Sequence, residues 1–448
     1  MEIPKTHYTQ ATDGAYLAYQ VLGSGDTDLL YLPGWFSHLE IYWEQPQRTA
    51  FIQRLASLYR VITFDERGTG LSERTVGSPH LETAMDDIRA VLDATGAERP
   101  VLFGEGPDGG GSCAMFAATF PERVLALVWW SAHARSLVAV DYPWGDDEQA
   151  ILDEQTSLER AWGSDEAGAE LLTITHCPSL ADDPAAQHWI AKFLRYGATP
   201  GGARAFHAWY TSIDVRSILP AVRVPSLIVQ DTGPEALDEA RFIATQVPGA
   251  RVSPRSGEDF PPWLGDMRGN VAMVEQFITS VQHEEAALDR MLATVMFTDL
   301  VGSTDRACAV GDACWKELLE KHNATVRAFL ARYRGSEVKR TGDGFLATFD
   351  GPARAVKCAQ AICEAVKPLG LEVRAGCHTG EIELMGADVG GIAVHIGARV
   401  GALAGPSEVL VSSTVKDLVA GSGLVFEDRG EHTLKGVPDP WHLYAVAA

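Results

Sequence analysis

The chain has 448 residues, 46% hydrophobic and 22% charged, with a formal net charge of −23. That length exceeds one ordinary hydrophobic core and points to two or three domains, and the composition is that of a globular chain. The acidic balance argues against nucleic-acid binding, no run of 18 apolar residues offers a membrane span, and seven scattered cysteines without a CxxC pair suggest neither a disulfide frame nor a zinc site.

The start, MEIPKTHYTQATDG, has no basic segment followed by an apolar core, so no signal peptide is expected and the protein is placed in the cytoplasm. The charge is uneven. From residue 288 onward 17 Lys+Arg stand against 20 Asp+Glu, whereas the preceding residues hold 20 against 40. The near-neutral second part admits a polyanionic substrate more easily; an acidic surface that serves solubility accounts for the imbalance at least as well.

In chain order, apolar runs predict strands at 28–32, 60–64, 101–103 and 124–130, with a helix over 81–95. A Gly-rich turn at 104–111 opens a second helix that reaches about Phe120. Strands alternating with helices at this spacing imply a parallel sheet covered on both faces. Residues from about 135 to 215 interrupt the alternation with helical, Trp- and acid-rich sequence, read as an inserted cap. Strands return at 224–230 and 251–254, and a last helix spans roughly 270–283. The expected domains are therefore 1–283 and 292–448, joined by a linker over 284–291.

The second part opens with a strand at 292–299. A helix follows, with Trp315, Leu318, Leu319, Val326, Phe329, Leu330 and Tyr333 on one face, stopping at Gly335. Strands at 337–340 and 345–349 bracket Thr341-Gly342-Asp343-Gly344, a hairpin signature. A helix (352–367), two strands (372–378 and 381–385), a helix (391–404) and further strands complete a mixed α+β domain.

Phosphate chemistry with Mg²⁺ needs hard oxygen ligands, usually one or two carboxylates. Asp299 ends one strand and Asp343 sits at a hairpin tip, so one sheet can bring both within bridging distance. The turn after Asp299, Leu300-Val301-Gly302-Ser303-Thr304, opens a helix whose first amides can hold phosphate. Either aspartate alone reads as a cap or turn residue sooner than as a ligand; the pair in this context is the stronger signal.

The strings FTDLVGST (297–304), KRTGDG (339–344), RAGCHTG (374–380) and DVGG (388–391), with LKG at 434–436 and Tyr444, resemble the class III adenylate/guanylate cyclase domain over about 292–446. The resemblance implies a ferredoxin-like sheet core, a head-to-tail homodimer with sites at the interface, and two divalent cations per site, Mg²⁺ or Mn²⁺. It assigns Asp299, Leu300 and Asp343 to the metals. Lys339 and Asp388 go to the purine edge, Arg399 to the α-phosphate in the transition state, and Lys435 with Val301, Gly302, Ser303 and Thr304 to the phosphates. His395 stands where asparagine is usual, a departure that bears on turnover. Lysine donating to ring N1 and a carboxylate accepting from the 6-amino group imply adenine, because guanine mispairs with both. The implied reaction converts ATP to 3′,5′-cyclic AMP and pyrophosphate.

Over about 10–280 the chain resembles the α/β-hydrolase fold: LPGW (32–35), DERGTGLS (65–72), the turn after 101–103, and FAATFPER (116–123). Active members place serine in a G-x-S-x-G elbow. Here the elbow is Gly104-Glu105-Gly106-Pro107-Asp108-Gly109, with Gly106 or, shifted by one, Pro107 in the serine position. Phe260, within DFPPW, replaces the usual late histidine; Asp231 stands where the acid is expected; Ser112 reads as a helix cap. The reading is a hydrolase-like domain without its triad, regulatory or scaffolding, which binds a small apolar ligand or supports dimerisation. Two alternatives are a weakly active nucleotide-binding signalling protein and an ester hydrolase with another nucleophile.

Overall fold

Strands buried on both faces of a parallel sheet read as unbroken apolar runs, and the first part of the chain is built on several. The computed structural model describes residues 3–447 apart from 75–79, 175–176, 258, 289 and 387. It divides into two compact units, Met1–Gln282 and His283–Ala448.

In the first unit, β1 (His7–Gln10), β2 (Tyr16–Leu22), β3 (Asp28–Leu32), β4 (Arg60–Phe64), β5 (Val101–Glu105), β6 (Ala126–Trp130), β7 (Ser226–Asp231) and β8 (Arg251–Arg255) form one sheet, ordered β1-β2-β4-β3-β5-β6-β7-β8. Pairing is antiparallel from β1 to β4 and parallel from there to β8. Successive side chains of a strand point to opposite faces. Leu30 and Leu32 accordingly join one buried cluster while Leu29 and Tyr31 join another.

Between β6 and β7 lie four helices, Glu148–Ala161, Asp165–Ile174, Pro184–Gly197 and Pro200–Tyr210. Local chemistry starts three of them: Asp147, Asp183 and Thr199 accept N-cap hydrogen bonds from Ala150, Ala185 and Gly202, and proline follows the last two caps.

In the second unit, β9 (Arg290–Leu300), β10 (Ser336–Thr341), β11 (Gly344–Phe349), β12 (Val373–Met385), β14 (Val409–Ser412), β16 (Pro440–Val446) and β15 (Phe426–Thr433) form a mixed sheet ordered β10-β11-β9-β12-β14-β16-β15; β13 (Asp388–Gly390) pairs with the end of β12. Met296 of β9 packs in the cluster shared with helices Asp312–Tyr333 and Pro352–Val366, while Val295 packs with Ala393 of helix Ile392–Leu403.

Several expectations are corrected. The linker expected over 284–291 is not a separate segment: helix Met267–Leu288 continues through it and β9 begins at Arg290, residue 289 lying outside the described residues. The strands expected at 372–378 and 381–385 are one strand, β12, because β9 pairs with it continuously from Val373 to Glu383. The single helix expected after Asp299 is two, Ser303–Val310 and Asp312–Tyr333, broken at Gly311 with φ +79°. The residue that ends the longer helix in the left-handed region is Arg334 (φ 58°). Gly335 is required for a different reason: a Cβ there would lie 2.4 Å from the Phe349 ring.

Candidate functional site

The local sequence places Asp299 and Asp343 at one end of the second sheet. Phe345 of β11 pairs with Thr298 of β9, and Thr341 pairs with Gly344 across a two-residue turn. Gly342 takes the first turn position at φ +75°, which suits glycine, and Asp343 the second. Gly344 seals the approach: a Cβ there would sit 2.0 Å from the Thr298 carbonyl oxygen and 3.2 Å from Asp299 Cα. The residue after Asp343 thus lies directly against the backbone of Asp299.

Asp299 faces Arg374 across the β9–β12 ladder, and the Arg374 guanidinium grips one carboxylate oxygen, Oδ2, through Nε (2.9 Å) and Nη2. Oδ1 of Asp299 and the whole Asp343 carboxylate make no hydrogen bond among the described residues. These oxygens, with the Leu300 carbonyl beside them, suit a hard divalent cation. Arg374 received no role from the sequence beyond its place in RAGCHTG; the antiparallel register opposite Asp299 is what reveals it.

Gly302 caps the short helix Ser303–Val310 at φ +64°, leaving the first-turn amides at 302–304 pointing out of the helix end. Val301 differs from the expectation. Its N–H is already donated to the Glu372 carbonyl (2.9 Å), so that amide is not open to a phosphate.

Lys339 and Asp388 meet: Lys339 Nζ donates to Asp388 Oδ2 at 2.5 Å. The lysine hydrogen bond, with that of the Val389 N–H, holds the Asp388 carboxyl below the usual carboxylate range. Ladder register alone would leave the two residues far apart, since Lys339 sits level with Phe297 and Gly376 whereas Asp388 pairs with Met385. The far half of β12 reaches the hairpin because Ile382 and Val389 pack in one cluster with Leu346 and Val338. The pair is half-exposed on both sides and adds little to stability.

His395 and Arg399 lie one turn apart on the exposed side of helix Ile392–Leu403. The opposite side is set by Gly397 and Gly401, where a Cβ would meet Val295 Cγ2 at 2.6 Å and the Gly376 backbone at 3.3 Å. The helix therefore lies flat on the sheet and turns His395 and Arg399 outward, without hydrogen bonds among the described residues. Lys435 is exposed in the loop between β15 and β16.

In the first unit the elbow between β5 and helix Gly109–Thr119 resolves the choice of register. Gly106 carries the strained backbone of that turn, at φ +65°, so it and not Pro107 fills the serine position. A Cβ on Gly106 would face Phe260 Cζ at 3.4 Å. The positions of nucleophile and base still face each other, but neither side chain can transfer a proton. In active members the residue after the nucleophile and a residue after the third strand donate amides to the oxyanion. Here the first of these is Pro107, which has no N–H, and the Trp35 N–H is donated to the Asp108 carboxylate. Ser112 is not a cap: it is fully buried inside the helix, its Oγ without a partner among the described residues.

A cavity of about 460 Å³ adjoins this elbow, lined by Trp35, Asp108, Phe260 and cap residues including Trp144, Glu154 and Tyr210.

Two folds and two sites thus define a chain with a hydrolase-type sheet followed by a nucleotide-cyclase-type sheet. Residues 29–233 match the family model of the alpha/beta hydrolase fold, and residues 289–448 that of the adenylate and guanylate cyclase catalytic domain. The first domain belongs to the α/β-hydrolase fold and the second to the class III adenylate/guanylate cyclases. Among curated proteins, a putative adenylate cyclase 3 of Rhizobium meliloti is 29% identical over 174 residues, which cover 35% of this chain and 28% of that protein. A putative carbamate hydrolase RutD of a Caulobacter strain is 42% identical over 78 residues, 17% of this chain and 29% of that protein. The chain therefore spans less than a third of the length of either relative. Among solved structures, the esterase EaEST of Exiguobacterium antarcticum aligns with a TM-score of 0.51 at 20% identity, over 62% of this chain and all of the esterase; it shows the fold alone. No described helix is long and apolar enough to cross a membrane.

Proposed function

We propose that the chain is an adenylate cyclase that converts ATP to 3′,5′-cyclic AMP and pyrophosphate at the interface of a homodimer. The observation that carries this reading is the Lys339–Asp388 pair, a donor and an acceptor 2.5 Å apart and half-exposed at the edge of the sheet. Adenine offers the complementary acceptor at N1 and donor at the 6-amino group; guanine offers the reverse and is rejected by both.

Asp299, Asp343 and the Leu300 carbonyl would hold two divalent cations, Mg²⁺ or Mn²⁺, whose charge when bound acidifies the ribose 3′-hydroxyl and neutralises the departing pyrophosphate. Arg374 fixes one oxygen of Asp299 and so orients the other. The amides at 302–304 and Lys435 bind the β- and γ-phosphates. Arg399 stabilises charge on the α-phosphate as the 3′-oxygen attacks in line, and His395, one turn away, orients ribose and phosphate. Lys339, Asp388, His395 and Arg399 complete the site whose aspartates belong to the other copy. The protein's work is positioning and charge.

The hydrolase-type domain does not hydrolyse esters in this reading, since nucleophile, base and both oxyanion donors are each removed or occupied. Its role is regulatory or scaffolding. A second reading, a nucleotide-binding signalling protein with little turnover, rests on His395 in the asparagine position.

The test incubates the purified chain with ATP and GTP side by side, with Mg²⁺ or Mn²⁺, and separates products by chromatography. Cyclic AMP from ATP, with GTP turned over at least tenfold more slowly, is expected. Equal or preferred use of GTP overturns the adenine assignment, and tight nucleotide binding without product supports the second reading.

A further inference from the structure

The cavity beside the elbow retains a ligand-sized volume of about 460 Å³ after the hydrolytic groups are gone. Its charge is unbalanced. Asp108, Asp146, Glu154 and Asp231 all line it, and none forms an ion pair among the described residues. Of the two arginines on its wall, Arg135 pairs with Asp214 (3.1 Å), whereas Arg255 donates to the carbonyls of Gly257 (3.3 Å) and Asp259 (2.5 Å) and keeps its charge, its Nε without a partner among the described residues; one such cation offsets only part of the charge of four carboxylates. His133 is spoken for by Glu239.

Two further groups are independent of the acids. Ser136 and His207 line the cavity, are 2% and 7% exposed, and leave Ser136 Oγ and His207 Nδ1 buried without a hydrogen-bond partner among the described residues. Each can accept a hydrogen bond from an N–H. The same wall includes the aromatic residues Trp35, Trp144 and Tyr210. Incompletely compensated carboxylates, aromatic side chains and orphan acceptors together are the chemistry that holds a desolvated cation.

We infer that this cavity binds a small organic cation, an ammonium or amidinium group carried on an apolar body. The Asp108 carboxylate, seated on the Trp35 amide, occupies the place where a hydrolase would stabilise an oxyanion, so the site has changed the sign of the charge it favours. Burial, then the neighbouring Asp146 and Glu170, pushes Glu154 up to about 7. Burial likewise pushes Asp108 up to about 6. A bound cation supplies the counter-charge both lack.

Calorimetry on the full chain, without nucleotide, tests this separately from any cyclase activity. Three probes of similar shape are titrated: 2-phenylethylammonium, 2-phenylethanol and phenylacetate. The ammonium is expected to bind at least tenfold more tightly than the alcohol and phenylacetate most weakly. Glu154→Gln, a substitution at a partly exposed side chain, should reduce the ammonium preference severalfold. An alcohol that matches the ammonium, a phenylacetate that binds more tightly through Arg255, or failure of the ammonium to bind at all each overturns the inference.

Discussion

At the scale of single residues, the second domain separates groups that hold the fold from groups that do not. Asp299 and Arg374 are each about one-third exposed, so their ion pair contributes at most about 1 kcal/mol to stability. Asp343 makes no hydrogen bond among the described residues. Asp299→Ala and Asp343→Ala are therefore expected to abolish cyclic nucleotide formation while the melting curve moves by only a few degrees. Normal turnover in either variant removes the metal assignment. Arg374 acts through Asp299. Replacing it by Ala should lower activity by about tenfold to a hundredfold and raise the divalent-cation concentration needed for half-maximal rate, with Arg374→Lys intermediate. A loss confined to stability, with the cation dependence unchanged, would make Arg374 merely structural. In the first domain, Gly106→Ser should not create an esterase, because Phe260 and Pro107 still withhold the base and an oxyanion donor. It should cost about 1–2 kcal/mol for a side chain at φ +65°. p-Nitrophenyl acetate hydrolysis and a denaturant melt read the two effects.

At the scale of elements, β12 is the piece on which the second domain turns. Its first half carries Arg374 to Asp299, and its second half curls by way of Ile382 to bring Asp388 to Lys339. Between them His378 is buried, hydrogen-bonded to Ser412 Oγ at 2.8 Å and edge-on to Trp441. Burial pushes its imidazole down to about 4. An unfolded histidine titrates near 6.5, so above that pH both states are neutral and stability is full. Below it the unfolded chain takes up a proton that the folded chain refuses. Stability should thus fall from about pH 6.5 to about pH 4, by about 2 kcal/mol at pH 5. His378→Asn should flatten this part of the profile in thermal melts recorded from pH 4 to 7. An unchanged slope would place the pH sensitivity in other groups.

At the scale of the whole molecule, the proposed dimer divides each site between two copies. Asp299→Ala and Arg399→Ala chains should each be inactive alone. Mixed and allowed to exchange, they form heterodimers in which one site draws both intact groups and the other neither. Activity should return to a substantial fraction of the unmodified level in the mixture, and failure of complementation between stably mixed chains would place the complete site within one copy. The hydrolase-type domain contributes a different lesson. It keeps the sheet, the elbow and the cavity of its fold although Gly106, Pro107 and Phe260 stand where an active member has its nucleophile, an oxyanion amide and its base, because the buried apolar side chains of β3 to β7 hold the sheet without a nucleophile or a base.

Local pattern alone determined the strands at 28–32 and 60–64 and the helix at 81–95, whose boundaries coincide with the structure, because apolar runs and periodicity act over a few residues. The missing triad and the candidate aspartates were legible through the two family resemblances, because they are matters of side-chain identity at motif positions. The tertiary structure decided what depends on partners distant in the chain. It chose Gly106 over Pro107, committed the Val301 amide to Glu372, set Arg374 on Asp299, and gave the Trp35 amide to Asp108. It also ran β12 unbroken through Gly380, because β9 supplies a backbone partner along nearly its whole length. Such pairings join residues tens of positions apart, so a window of a few residues does not reveal them even though the buried faces of the strands fix their register.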